Sequence, residues 1–224
     1  MPINSKKTDK SSPKKQDKVP SKIYQIKVSL CGTEPSIWRR LLIAGDTNLG
    51  LLHGIFQISM GWLNSHLHQF MVERTFYADP EAELEDVRNE FNTTLSKIAP
   101  AEKDTFMYMY DFGDSWDHLI QVEKILTEHK DFVLPAACIG GEGACPPEDC
   151  GGIPGYYDFC EIMQSPDNDG YDEMYDWFGR QYDPEQFDAD EVNKYLKKIK
   201  WKKPNWMQLG KVLAERDGVD FDEF

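Results

Sequence analysis

Tyr108-Met109-Tyr110-Asp111-Phe112-Gly113-Asp114-Ser115-Trp116-Asp117-His118 is the stretch whose reading decides the fold. Before Asp111 the aromatic residues Phe106, Tyr108 and Tyr110 fall at every second position, and apolar residues alternate again from Trp116 to Ile125. A period of two is the mark of a half-buried strand, so the spacing predicts a β-hairpin turning at Gly113-Asp114. Gly tolerates positive φ and Asp bonds its own backbone, so the turn by itself accounts for those two residues. It does not account for His118, Asp111 and the crowd of aromatic rings, which mark a candidate site.

Outward from this hairpin the chain reads as strands first and helices later. Tyr24, Ile26, Val28 and Leu30 alternate with polar residues, Cys31-Gly32-Thr33-Glu34-Pro35 supplies a turn, and Trp38 to Ala44 returns as a second strand. Arg39 and Arg40, being adjacent in a strand, take opposite faces. Asn48 is placed to cap a largely buried helix that runs to about Met60 and stops at Gly61. Leu67 to Tyr77 predicts a third strand opened by His66-Leu67-His68, whose parity puts both histidines on one face, followed by an acidic, mobile loop from Asp79 to Glu90. The stretch from Leu134 to Gly155 is rich in Pro, Gly and Cys and shows no regular period. Helices resume around Tyr156 to Met163 and Met174 to Phe178. Asp188 and Glu191 form a capping box for the next one, and a last helix spans Asn205 to about Asp217. This order indicates an α+β fold: a mixed, largely antiparallel sheet with an early buried helix and a C-terminal helical part. The expected organisation is a disordered basic leader over 1–20, an α+β domain over 21–200 and a helical extension over 201–224.

Met1 to Lys22 holds seven lysines against two aspartates, a surplus of five positive charges, which leaves −19 on the rest of a chain whose total is −14. A basic leader of this kind either contacts nucleic acid or serves as a solvated tail. The acidic body argues against a broad duplex-binding surface, because phosphate neutralisation supplies most non-specific affinity. Leu49 to Met60 is interrupted by Gly50, His53, Gly54 and Gln57 and is too short to span a bilayer, so no membrane partner is expected. Without a secretory pattern, the five cysteines read as reduced thiols of a cytoplasmic protein.

Two groups of residues carry chemistry. Cys138, Cys145 and Cys150 lie within thirteen residues, but gaps of six and four, the second holding Pro146 and Pro147, do not match the Cys-x2–4-Cys spacing of structural zinc. Glu148 and Asp149 sit on that proline-stiffened loop, placed to orient an arginine or a metal. His66, His68, Asp111 and His118 make a nitrogen and oxygen ligand set for a divalent metal if the third strand lies beside the hairpin. With Asp114, Glu148 and Asp149 they define a candidate polar pocket. The same set also reads as a hydrogen-bonded network, with Asp111 and His118 as structural partners. No nucleophile elbow, phosphate-cradling loop, dinucleotide fingerprint or His-Glu-x-x-His motif occurs.

Read together, Ile37-Trp38-Arg39-Arg40, Leu52-His53, Met60-Gly61-Trp62, His66-Leu67-His68-x-Phe70, Tyr110 to His118 and Cys145-Pro146-Pro147-Glu148-Asp149-Cys150-Gly151-Gly152-x-x-Gly155-Tyr156 resemble the plasmid pRiA4b ORF-3-like family over about Tyr24 to Leu196. The resemblance implies a protein carried on plasmids or by insertion elements, to which the label resolvase attaches only by analogy. No serine-recombinase pattern is present here. The resemblance also implies that Cys145 and Cys150 are replaceable by apolar residues, which counts against a zinc site. The expectation is a mobile-element-associated binding or accessory protein; the alternative is a metal-dependent hydrolase or nuclease using the same histidines and aspartates.

Overall fold

The alternation around Tyr24 becomes β1 (Ile23–Leu30), which pairs antiparallel with β2 (Trp38–Ala44), as the N-terminal hairpin pattern requires. The computed structural model describes residues 22–129, 131–132, 135–199 and 206–218; the basic leader expected over 1–20 lies outside them. Arg39 turns inward and is buried, whereas Arg40 turns outward and grips Glu123 through Nε and Nη2 at 2.7 and 2.9 Å. Helix α1 (Leu49–Met60) follows, capped by the Asn48 side chain on Leu51 N and ended by Gly61 at φ 126°. Every residue of α1 is buried.

The predicted third strand is two. β3 (His68–Val72) and β4 (Thr75–Ala78) fold back on each other about Glu73, which takes the left-handed φ of 54°. The acidic segment beyond them was expected to be a mobile loop, but it carries a 3-10 turn at Pro80–Ala82 and a short strand β5 (Val87–Asn89) parallel to β4. A single helical turn α2 (Leu95–Ile98) leads to β6 (Thr105–Tyr110) and β7 (Trp116–Leu126), the hairpin read from the aromatic alternation. Its turn is built differently from the sequence reading. The left-handed positions are Asp111 (φ 56°) and Ser115 (φ 55°), not Gly113, and Ser115 N closes on Asp111 O at 2.7 Å.

The Cys-rich stretch without period hides an eighth strand, β8 (Ala136–Glu142), paired with β2. Gly141 is there for room: a Cβ on it would fall 2.7 Å from both the Phe187 ring and Trp38 O. The sheet order is β5-β4-β3-β6-β7-β1-β2-β8, antiparallel except for β4 and β5, which makes the fold α+β as expected. Four helices follow among the described residues: α3 (Gly152–Met163), α4 (Tyr171–Phe178), α5 (Ala189–Leu196) and α6 (Trp206–Asp217). Asp188 caps α5 through Asp190 N and Glu191 N, and Asn193 of α5 bonds both N and O of Cys138, covering the outer edge of β8. No helix of the described residues is long and apolar enough to cross a membrane.

One face of the sheet packs Tyr24, Ile26, Phe70, Tyr108, Tyr110, Trp116 and Ile120 against α1. Two arginines finish the C-terminal end of that helix. Arg39 donates to Ser59 O and Met60 O, and Arg216 of α6 donates to Gln57 O, Gly61 O and Trp62 O. Cations on the last carbonyls satisfy groups that a helix leaves unpaired and oppose its negative end. The carbonyls of Gly61 and Trp62 are thereby fixed at the start of the segment that carries His66.

Candidate metal centre

From Leu63 to His66 every backbone N–H is held by a side chain. Leu63 N donates to Glu148 Oε1 at 2.6 Å and Asn64 N to Gln57 Oε1 at 2.7 Å, while Ser65 N and His66 N share the Tyr110 hydroxyl at 2.9 and 3.3 Å. Asn64 takes φ 61° and its Oδ1 accepts from His53 Nε2 at 2.6 Å. So pinned, His66 aims its Nε2 at three carboxylates: Asp149 Oδ1 at 3.2 Å, Glu148 Oε2 at 3.6 Å and Asp111 Oδ2 at 3.7 Å. The Nε2 atom is sealed from solvent yet makes no hydrogen bond.

Each carboxylate arrives from a different constraint. Asp111 follows directly on β6, and its left-handed backbone lets Oδ1 accept from Gly113 N at 2.8 Å while Oδ2 faces His66. Glu148 is fixed between Leu63 N and the Tyr110 hydroxyl, which donates at 3.0 and 3.2 Å. Burial pushes its acid group up, and the Leu63 N–H works against that by stabilising the charge. Asp149 is again left-handed, at φ 57°, and leaves 69% of its side chain exposed, so it forms the open side of the cluster. Non-glycine residues held at positive φ are uncommon, although Asp tolerates the region better than most. One ligand atom from each of His66, Asp111 and Asp149 lies within 4.8 Å of the others, the only such metal-compatible group among the described residues.

Asp114 acts from the side. Its Oδ2 accepts from Gly151 N at 3.1 Å and ties the 143–151 loop to the hairpin turn. A Cβ on Gly152 would fall 2.6 Å from Asp114 O, so the loop approaches that closely only because residue 152 is glycine.

His68 and His118 are elsewhere. His68 is the first residue of β3 and points into the core, where Nε2 meets Glu90 Oε2 at 2.9 Å and the ring stacks on His53 at 3.5 Å between centroids. His118 is fully buried, with Trp62 Nε1 3.4 Å from its Nε2 and Tyr108 O 3.3 Å from its Nδ1. Desolvation lowers His68 to about 3 and His118 to about 4, and raises Glu90 to about 7. The strand parity was right for His68, but His66 precedes the strand and answers to its own loop, so the two imidazoles serve different clusters. Asp111 and His118 do not pair, and His66 is the imidazole beside Asp111.

Residues 22–191 match the family model described as plasmid pRiA4b ORF-3-like protein. The chain belongs to this family. It is 32% identical over 187 residues to "Uncharacterized protein y4hQ" of Sinorhizobium fredii, covering 80% of this chain and 94% of that one. It is also similar to the crystal structure titled "Protein of Unknown Function MM3350" from Methanosarcina mazei Go1, at 32% identity and a TM-score of 0.70, over 77% of this chain and 98% of the other. His66, Asp111, Glu148 and Asp149 all fall inside the family match, whereas α6 lies beyond it.

Sequence reasoning missed Tyr110, whose hydroxyl organises both His66 and Glu148, because an inward aromatic of a strand reads as core. It also missed His53 and Glu90, which complete the buried network round His68. The one available signal was position: Tyr110 immediately precedes Asp111.

Proposed function

We propose that the protein is a binding module built round one divalent-cation centre, with His66, Asp111 and Asp149 as ligands and Glu148 beside them. The observation that carries this reading is the sealed, unbonded Nε2 of His66 facing three carboxylates at 3.2–3.7 Å. A buried polar atom without a partner is unfavourable by about 1–3 kcal/mol, and an ion between imidazole and carboxylates removes that penalty at once. One nitrogen with two or three oxygens suits Mn²⁺, Zn²⁺ or Co²⁺ better than a cation restricted to oxygen. Asp114 and Tyr110 are the positioning residues. The family's description refers to a plasmid-borne reading frame, and an accessory role in the cytoplasm agrees with it and with five free cysteines.

A second reading, metal-assisted hydrolysis, is favoured by Glu148. Its carboxylate is fixed by Leu63 N and Tyr110 within 3.6 Å of the ligand nitrogen, where a base for metal-bound water would stand. Calorimetric titration with Zn²⁺ and Mn²⁺ tests the first reading. Wild type binds one equivalent, and His66→Ala weakens binding by about 100-fold or more. Equal affinity in the two proteins, or none in either, refutes the centre.

A further inference from the structure

We infer that the centre takes an amine-bearing ligand with an apolar side group, the chemistry of an amino-acid amide or a peptide amino end; this rests on the metal reading above. Two residues next to the ligands are large, apolar and exposed: Leu67 follows His66 and is 47% exposed, and Phe112 follows Asp111 and is 38% exposed. Asp111 N donates to Leu67 O at 2.9 Å, which ties the segment before β3 to the end of β6, so each exposed apolar residue adjoins a ligand of the centre in the chain. Exposed apolar residues next to the ligands of a polar cluster favour a ligand that can cover them.

Charge decides the rest of the ligand. Asp111, Asp114, Glu148 and Asp149 bring four carboxylates to this end of the molecule, and one divalent ion offsets two of them. Among the described residues the only basic group ion-paired with any of the four is His66. A phosphate or phosphodiester entering here meets uncompensated negative charge and, among the described residues, no arginine or lysine ion-paired with these carboxylates, whereas an ammonium group meets attraction. The ligand's carbonyl oxygen completes the coordination of the ion on the open Asp149 side. Its ammonium group faces the surplus carboxylate charge, and its side group lies on Leu67 and Phe112.

The test uses the full chain loaded with Co²⁺, whose visible absorption reports its coordination, titrated with L-leucinamide, glycinamide and dimethyl phosphate. L-leucinamide changes the spectrum at about tenfold lower concentration than glycinamide, the gain from burying one aliphatic side chain, and dimethyl phosphate leaves it unchanged. In a Leu67→Ser, Phe112→Ser double variant, altered only at exposed positions, the Co²⁺ spectrum persists and the preference for leucinamide falls to about one. A response to dimethyl phosphate as strong as to leucinamide, or a preference untouched by the double variant, overturns the ligand assignment while leaving the metal centre standing. No Co²⁺ spectrum in wild type overturns both.

Discussion

Asp111 joins backbone and site more tightly than any other residue of the centre, because its left-handed φ, its bond to Gly113 N and its free Oδ2 serve together. Asparagine tolerates the same φ and keeps an oxygen for Gly113, so Asp111→Asn leaves the thermal midpoint within about 2 °C while lowering metal affinity by about 100-fold. A large loss of stability with metal affinity intact contradicts the assignment. Glu90 allows a pH prediction. Its folded pKa, about 7, lies above the ordinary 4.5, so the fold holds the extra proton and loses stability as pH rises from about 4.5 through 7. His53, His68 and His118 run the other way: burial lowers all three, and the fold loses stability as pH falls below about 6.5. Glu90→Gln therefore stabilises the protein at pH 8, by about 1–2 kcal/mol, and not at pH 5. Urea denaturation at the two pH values measures this, and an equal effect at both contradicts it. At this scale the sequence showed which residue types gather but not which imidazole meets which acid. Parity sends His68 and His118 inward, and only tertiary packing decides that one finds Glu90 and the other Trp62.

Helix α6 lies beyond the family match and still completes the core. Trp206 rests edge-on against His53 and bonds Asp79 Oδ2 at 2.8 Å, Leu209 lies over Gly54, and Arg216 takes the carbonyls of Gln57, Gly61 and Trp62. Arg216→Ala frees those carbonyls and lowers stability by about 1–3 kcal/mol. It also speeds hydrogen exchange at Leu63 to His66 and weakens metal binding, because the His66 segment loses its anchor; unchanged exchange there counts against the coupling. Elements with strong local signals were legible beforehand: the Asn48 and Gly61 ends of α1, the hairpin round Asp111, and the Asp188 cap. β8 was not, because Gly140 and Gly141 break its alternation, and Gly141 does so to admit Phe187 and the Trp38 carbonyl. The break between β3 and β4 escaped as well, since Glu73-Arg74 carries no glycine, proline or asparagine to announce a turn.

Across the described residues the core runs from β1 to α6, and its size predicts a fold that stands without disulfide or metal. A melt in dithiothreitol with EDTA matches one without them, while Zn²⁺ at about 100 times its dissociation constant adds about 2.7 kcal/mol by mass action. A collapse of the melt in EDTA would assign the metal a structural role instead. The arrangement of the centre also bears on how the chain acquires its structure in time. His66, Asp111 and Asp149 are brought together from a loop after α1, the tip of a hairpin and a loop after β8, segments separated by tens of residues. Loop closure over such separations is slow and comes after local hairpins have formed. The colour of bound Co²⁺, developing during refolding, would therefore act as a clock for the final docking of these three segments, running behind the recovery of strand signal from the hairpins.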